Sequence, residues 1–501
     1  MSELDVLIAR VLQPGFVGPA LPDWVRRRLA GGLGSVILFA ANIESPTRLR
    51  ALTDELRAEN PDVFVAVDEE AGDITRLEFA TGSSYPGNLA LGAVDDVALT
   101  EAMARSVGSL VRAAGIDLDY APVADVNTEP RNPVIGARSF GSDPALVARH
   151  VAAAVRGLHA AGVAACAKHF PGHGDTVVDS HFGLPTVHAT LAELRRDTLP
   201  PFAAAVGAGV RAVMVAHLLM PEFDAEHPAS VSPAVVGGLL RGELGFDGLA
   251  VTDGIGMAAV RERYGLAGAA VRALVAGMDL VCVDNTSTDA DIAAVTEAIA
   301  AAVRDGTLAE ARLVEAAERV AAFATWRREA REAEVAAEDA TDGTTAVSPA
   351  SATGATGTTG MASPAADDGL AAARRAVRVL RAEPDALPLK SAPHVVEVAL
   401  PRSLATPLAD LLPGTTSSKL ADIAPDTTTV PADRPLVVVV RGVQRSPEEL
   451  ERVTRLVKER PDAIVVDLGV AHVDPGGAAW VAGYGVSRVC VQAAAELLAG
   501  R

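Results

Sequence analysis

Between Lys168 and His181 the chain reads KHFPGHGDTVVDSH, three histidines, two aspartates and a lysine in one short segment. Side chains of these types can ligate a metal, move protons or simply face water. His169 and His173 are four residues apart, the spacing that sets two imidazoles on one helix face. Pro171, Gly172 and Gly174 disfavour a helix there, and no glutamate follows His169 as it would in HExxH, so the pattern argues against a metal site. Asp179 and His181 suit proton transfer better. In an extended segment, residues two apart point to the same side. The Asp179 carboxylate can then bond one imidazole nitrogen of His181, favour the imidazolium and leave the other nitrogen for a substrate. A loop histidine with an incidental acidic neighbour gives the same pattern, and the segment alone does not separate the two readings.

A second acidic position interrupts the apolar run LAVTDGIGMAAV at Asp253. Followed by Gly254 and a helix-like stretch, it fits a carboxylate facing a ligand and equally a helix N-cap. Three more segments add polar groups: VAVDEEAGDITRL places Asp68 past an apolar run, NPVIGARSFGSDP puts Arg138 in a glycine-flanked turn, and VMVAHLLMPEFD offers His217 as an exposed group. Singly these are ordinary loop residues. Around one mouth they would supply acids, a base and cations for a polar, hydroxyl-rich substrate.

The elements that must position them are short apolar runs alternating with Ala/Leu/Arg-rich helical stretches. The runs SVILFA, VFVAVD, IDLDYAPVAD, VAACAKHF, AVMVAHLL, LAVTD and LVCVD are continuous rather than alternating, as in parallel strands covered on both faces. Asn42, Asp68, Asp125, Lys168, His169, His217, Asp253 and Asp284 all fall at or just past the C-terminal end of a run. That rim is where a (β/α)8 barrel gathers its functional residues, whereas an open doubly wound sheet would show a glycine-rich phosphate turn, which this chain lacks. The expected architecture is a TIM-type barrel over residues 1–337, a low-complexity linker over 338–368 and a smaller α/β sandwich over 369–501. The linker reads EDATDGTTAVSPASATGATGTTGMASPAADD, too poor in large apolar groups to offset the entropy of ordering. It follows a closing amphipathic helix. In the last part, HVVEVAL, PLVVVV, AIVVDLG and SRVCV read as strands. SPEELERVTRLVKER reads as a helix with Ser446 at the N-cap, Pro447 after it and Glu449 closing a capping box.

Composition narrows the partners. The 501 residues are 49% hydrophobic but only 4% aromatic, so the cores must be built from Ala, Val and Leu. A formal net charge of −20 disfavours nucleic acid and anionic membranes. No basic, then apolar, leader opens MSELDVLIARVLQPGFVG, and no long uncharged apolar run follows, so a cytoplasmic protein is expected. Cys166, Cys282 and Cys490 are far apart in apolar runs and read as buried reduced thiols. The sequence does not settle oligomeric state.

NPVIGARSFG, KHFPGHGDT…DSH and LGFDGLAVTD, in this order, resemble glycoside hydrolase family 3, within it the bacterial β-N-acetylglucosaminidase branch. The resemblance runs from SVILFAANI to AGMDLV and more loosely into VAGYGVSRVCVQAAAELLAGR. It implies a retaining exo-β-N-acetylglucosaminidase acting on peptidoglycan fragments or chitooligosaccharides, with no cofactor and no metal. Asp253 would be the nucleophile, His181 the general acid and base assisted by Asp179, and Asp68, Arg138, Lys168 and His169 the sugar contacts. The branch usually reads Asp-Gln-Glu-Gly-Gly where this chain has DEEAGD, so Glu69, Ala71 and Asp73 depart from it and bear on the sugar extension accepted. Two alternatives share the scaffold. A neutral imidazole acid/base repels phosphate less than a carboxylate does, so phosphorolysis is one; a catalytically silent sugar-binding protein is the other.

Overall fold

The computed structural model describes residues 2–180, 182–342, 365–398, 400–422 and 430–501. The expected linker lies for the most part outside them. Helix Glu310–Asp342 runs into its start and helix Ala365–Ala376 covers its end.

The first part is a (β/α)8 barrel. Its strands are β1 (Leu12–Gln13), β2 (Ser35–Leu38), β3 (Phe64–Val67), β4 (Leu118–Asp119), β5 (Ala164–Phe170), β6 (Ala212–Val215), β9 (Leu249–Thr252) and β10 (Val281–Cys282). An antiparallel hairpin, β7 (Leu219–Met220) and β8 (Asp224–Pro228), intervenes after β6. Strands β2, β3, β4, β5, β6 and β9 pair in that order, all parallel. The ring closes through β1 and β10. Thr252 donates to the Leu280 carbonyl (3.1 Å), β10 pairs parallel with β1, and Ile37 of β2 donates to the Pro14 carbonyl just past β1 (3.1 Å). Seven strands are evident in the sequence. The eighth is the two-residue β1, too short for any apolar period to reveal.

Each strand divides its side chains between two cores. Phe64 and Ala66, Ala164 and Cys166, Ala212 and Met214, and Leu249 and Val251 point into the barrel. Val65 and Val67, Ala165 and Ala167, Val213 and Val215, and Ala250 point out to the helices. Period-2 alternation does this automatically once the strands are parallel and covered on both sides. Helix Glu310–Asp342 seals the N-terminal end of the barrel: the Phe323 ring packs tilted against Phe64, centroids 4.7 Å apart, and against Trp326, centroids 5.6 Å apart.

The second part is an α/β sandwich. Its sheet comprises β11 (Arg378–Ala382), β12 (His394–Glu397), β13 (Thr416–Lys419), β14 (Leu436–Val440), β15 (Ile464–Asp467) and β16 (Ala479–Ala482), ordered β11-β16-β15-β14-β12-β13 with only β11 antiparallel. Val437, Val439, Ile464 and Val466 face one apolar layer, and Val438, Val440 and Val465 the other. SRVCV is not a strand. Ser487 caps helix Arg488–Ala499 by accepting from the Cys490 amide, and a short β-branched run does not by itself tell strand from buried helix. Ser446 caps helix Pro447–Glu459 as expected, but only half of the box forms, because the Ser446 amide donates to the Val443 carbonyl instead. Cys166, Cys282 and Cys490 are buried free thiols. Among the described residues no helix is long and apolar enough to cross a membrane.

Candidate active site

The inward parity of the strands carries on to the rim. Two residues beyond Ala66 comes Asp68, beyond Cys166 Lys168, beyond Val251 Asp253 and beyond Cys282 Asp284. All four line one cavity of about 320 Å³ at the C-terminal mouth of the barrel, together with Arg138 and His169. The remaining rim positions lie behind this wall. Asn42 is buried and donates to the Phe16 and Gly18 carbonyls (both 2.8 Å). Asp125 accepts from His169 Nδ1 (2.7 Å) and from the His173 amide (2.6 Å).

His217 is not exposed, as the sequence suggested, but fully buried. Its Nε2 donates to the Gly254 carbonyl (3.0 Å) and its Nδ1 meets the Ser230 hydroxyl (2.7 Å). It therefore grips the backbone next to Asp253. The Asp253 amide donates to Val215 of the neighbouring strand (3.0 Å), and Asp253 Oδ1 accepts from the Gly254 amide (2.8 Å). Helix Ala258–Ala276 starts with Met257 at its N-cap, so the capping alternative for Asp253 falls. A Cβ on Gly256 would come within 2.0 Å of Asp284 Oδ2 and would have to displace that carboxylate.

On the opposite wall, charges interlock. Lys168 Nζ bonds Asp68 and pairs with Glu70 (2.6 Å). Arg138 meets Glu70 through two bonds (2.8 and 2.6 Å) and approaches His169 Nε2 (3.3 Å), while Arg76 bonds Asp68 (2.9 Å). Burial opposes ionisation of Asp68, but Lys168, Arg76 and Arg138 outweigh it and hold the carboxyl below its ordinary range. Burial likewise disfavours the Lys168 cation, and Asp68 and Glu70 more than restore it. Asp68 and Lys168 are thus both ionised, within a fixed row of acceptors and donors for hydroxyl and amide groups. Glu70 and Arg76 were not singled out from the sequence. Their signal was their place in DEEAGDITR, beside Asp68.

The two imidazoles that suggested a metal are separately engaged. His169 is held by Asp125, and His173 lies between Thr176 Oγ1 (2.9 Å) and Ser180 Oγ (3.2 Å). Among the described residues no group of three or more potential ligands converges. Asp179 lines a second cavity, next to the first. The Phe182 amide donates to the Asp179 carbonyl (3.0 Å). His181, and with it the expected Asp179–His181 pairing, lies outside the described residues.

The barrel that carries this rim has counterparts among known proteins. The model of the glycosyl hydrolase family 3 N-terminal domain matches residues 21–323. The chain belongs to glycosyl hydrolase family 3. It is accordingly a glycoside hydrolase. A β-hexosaminidase of Pseudomonas aeruginosa is 40% identical over 268 residues, 52% of this chain and 79% of the relative. The solved family 3 β-N-acetylglucosaminidase of Paenibacillus sp. str. FPU-7 is 32% identical, with a TM-score of 0.86 over 100% of this chain and 97% of its own. A β-N-acetylhexosaminidase of Beutenbergia cavernae covers 65% of this chain at 29% identity and a TM-score of 0.59.

Against the family 3 pattern, each departure in DEEAGD has a structural place. Glu69 is buried, its Oε2 accepting from Thr75 Oγ1 (3.1 Å) and the Arg76 and Leu77 amides (2.7 and 2.9 Å). Ala71, where glycine is usual, sits at φ 60°, a conformation costing a Cβ-bearing residue roughly 1–2 kcal/mol. Asp73 points away from the Asp253 cavity, to Arg441 of the second domain (2.7 Å).

Proposed function

We propose that this chain is a retaining exo-β-N-acetylglucosaminidase, with residues 1–337 as the catalytic barrel, 338–368 as linker and 369–501 as a second domain that completes the cleft. Its substrates would be peptidoglycan fragments or chitooligosaccharides, and its setting the cytoplasm. The observation that carries the reading is that Asp253, anchored through Gly254 and His217, faces the same cavity as Asp68, Arg138, Lys168 and His169. The Pseudomonas and Paenibacillus relatives, a β-hexosaminidase and a β-N-acetylglucosaminidase, support it.

In the first step an Asp253 oxygen attacks the anomeric carbon and the glycosidic C–O bond breaks. The departing oxygen takes a proton from His181, whose imidazolium Asp179 favours. In the second step His181 removes a proton from water, which attacks the same carbon and releases Asp253. Asp68 and Lys168 accept from and donate to the ring hydroxyls, while Arg138 and His169 orient the sugar.

The test is product analysis on chitobiose and on a muropeptide, with and without millimolar phosphate, following the anomeric configuration by NMR. Release of N-acetylglucosamine first seen as the β-anomer supports the reading. Sugar 1-phosphate as the main product replaces water by phosphate as acceptor. Binding without turnover of either substrate leaves only a sugar-binding protein.

A further inference from the structure

The cavity that holds Asp253 continues into a second of about 260 Å³, and Val134 and Arg138 line both. The second lies on the seam between the domains. Its far wall comes from the loops after β14 and β15, including Arg441, Gly442, Arg445 and Gly469. The carboxyl ends of both parallel sheets therefore open onto one space, and such ends are where parallel α/β sheets bind ligands.

The wall is fixed in place. Asp467, fully buried at the end of β15, accepts from the Gly442 amide (2.9 Å) and the Gly469 amide (2.8 Å) through the same oxygen. Gln444 ties the first loop to the second through Val470 (2.9 Å) and to the barrel through Pro130 (3.1 Å). The two arginines are not equivalent. Arg441 is neutralised by Asp73, whereas Arg445 donates to the Pro133 carbonyl (2.9 Å) and forms no ion pair with a carboxylate among the described residues. Burial, and then the neighbouring Arg441 cation, push the Arg445 guanidinium below its ordinary range, while the Glu449, Asp73 and Asp179 carboxylates oppose them only in part, so a further anion bonded directly to it would be favoured.

We propose that this seam cavity is the subsite for the group attached to the N-acetylglucosamine, and that Arg445 there reads a carboxylate on it. The inference rests on the function proposed above: Asp179, assigned with His181 to the departing oxygen, lines this second cavity, so the leaving group lies beside it. A planar guanidinium with open donors suits a carboxylate, which it can take in two parallel bonds. A neutral sugar would gain only ordinary hydrogen bonds.

The experiment compares two β-1,4-linked disaccharides with N-acetylglucosamine at the non-reducing end. One carries a carboxylate-bearing ether on the reducing sugar; the other is its carboxamide. Wild type should favour the acid in kcat/KM by about tenfold or more. Arg445→Gln should bring the ratio near one, Arg445→Lys should keep part of it, and added salt should reduce it in wild type. A wild-type ratio near one overturns the inference, as does a ratio unchanged in Arg445→Gln. If Arg445→Gln fails to fold, the wild-type ratio and Arg445→Lys still decide. Cleavage of both compounds at equal rates overturns only this subsite. Cleavage of neither, nor of a chromogenic β-N-acetylglucosaminide, overturns the activity reading and this one with it.

Discussion

Asp73 and Arg441 meet at 2.7 Å across the seam between barrel and sandwich, and the other Asp73 oxygen accepts from the Val486 amide at 2.7 Å. One residue from the barrel loop thus clasps the ends of two elements of the second domain. Asp73 is nearly buried, while a third of the Arg441 side chain remains exposed, so solvent screens part of the pair.

Asp73→Asn should therefore destabilise the seam by about 1–3 kcal/mol, less than the full cost of orphaning a wholly buried partner. Urea unfolding would show this as a lowered midpoint or as a separate early transition of the second domain. A curve superimposable on wild type would mean that the clasp contributes nothing.

The acidic groups assigned to the reaction should separate by leaving group. Asp253→Ala removes the attacking atom and should lower kcat by more than about a thousandfold on any β-N-acetylglucosaminide. His181→Ala removes the proton donor, so its deficit should shrink on an aryl glycoside whose leaving group needs no proton. Steady-state kinetics on chitobiose and a nitrophenyl glycoside give both comparisons, and full activity of Asp253→Ala would refute the assignment.

His217 acts through its neighbour. Because it holds the Gly254 carbonyl at 3.0 Å and does not itself line the Asp253 cavity, it is a positioning residue. His217→Ala should lower kcat by about ten- to a hundredfold while KM changes little, and His217→Gln, which can still donate to Gly254, should recover part of the loss. A rise in KM at constant kcat would instead place His217 in sugar binding.

Much of this was legible before folding. Asp68, Lys168, Asp253 and Asp284 are marked by parity, each being the next inward position after an apolar run, and a barrel needs no more than that to aim them at one mouth. His217 breaks that parity, one residue off the inward register, and no sequence period could say that it turns back to Gly254. Strand β1 was hidden by its length, and SRVCV misread because buried helices and strands share the same apolar residues. The second cavity was invisible for a different reason: Asp179, Arg138 and Arg445 converge only because two domains dock, and docking leaves no local signature.

The last departure from the family pattern predicts a pH dependence of stability. Burial pushes the Glu69 carboxyl up to about 7 from 4.5, against the opposing bonds from Leu77, Thr75 and Arg76. Below about pH 4.5 it is protonated in both folded and unfolded chains; above about pH 7 it is ionised in both, and the folded chain carries the cost of the buried charge. Stability should therefore fall as pH rises between those values, by on the order of 3 kcal/mol from this group alone. The Asp119 carboxyl beside it is also raised, mainly by burial, so its own loss of stability begins as pH rises above the ordinary carboxylate range and adds to the fall. Glu69→Gln removes one titration while its amide oxygen can still accept from Arg76 and Leu77. Its unfolding free energy should drop less than that of wild type from about pH 5 to about pH 8. Urea midpoints across that range decide the matter, and parallel curves for the two proteins would show that Glu69 does not titrate there.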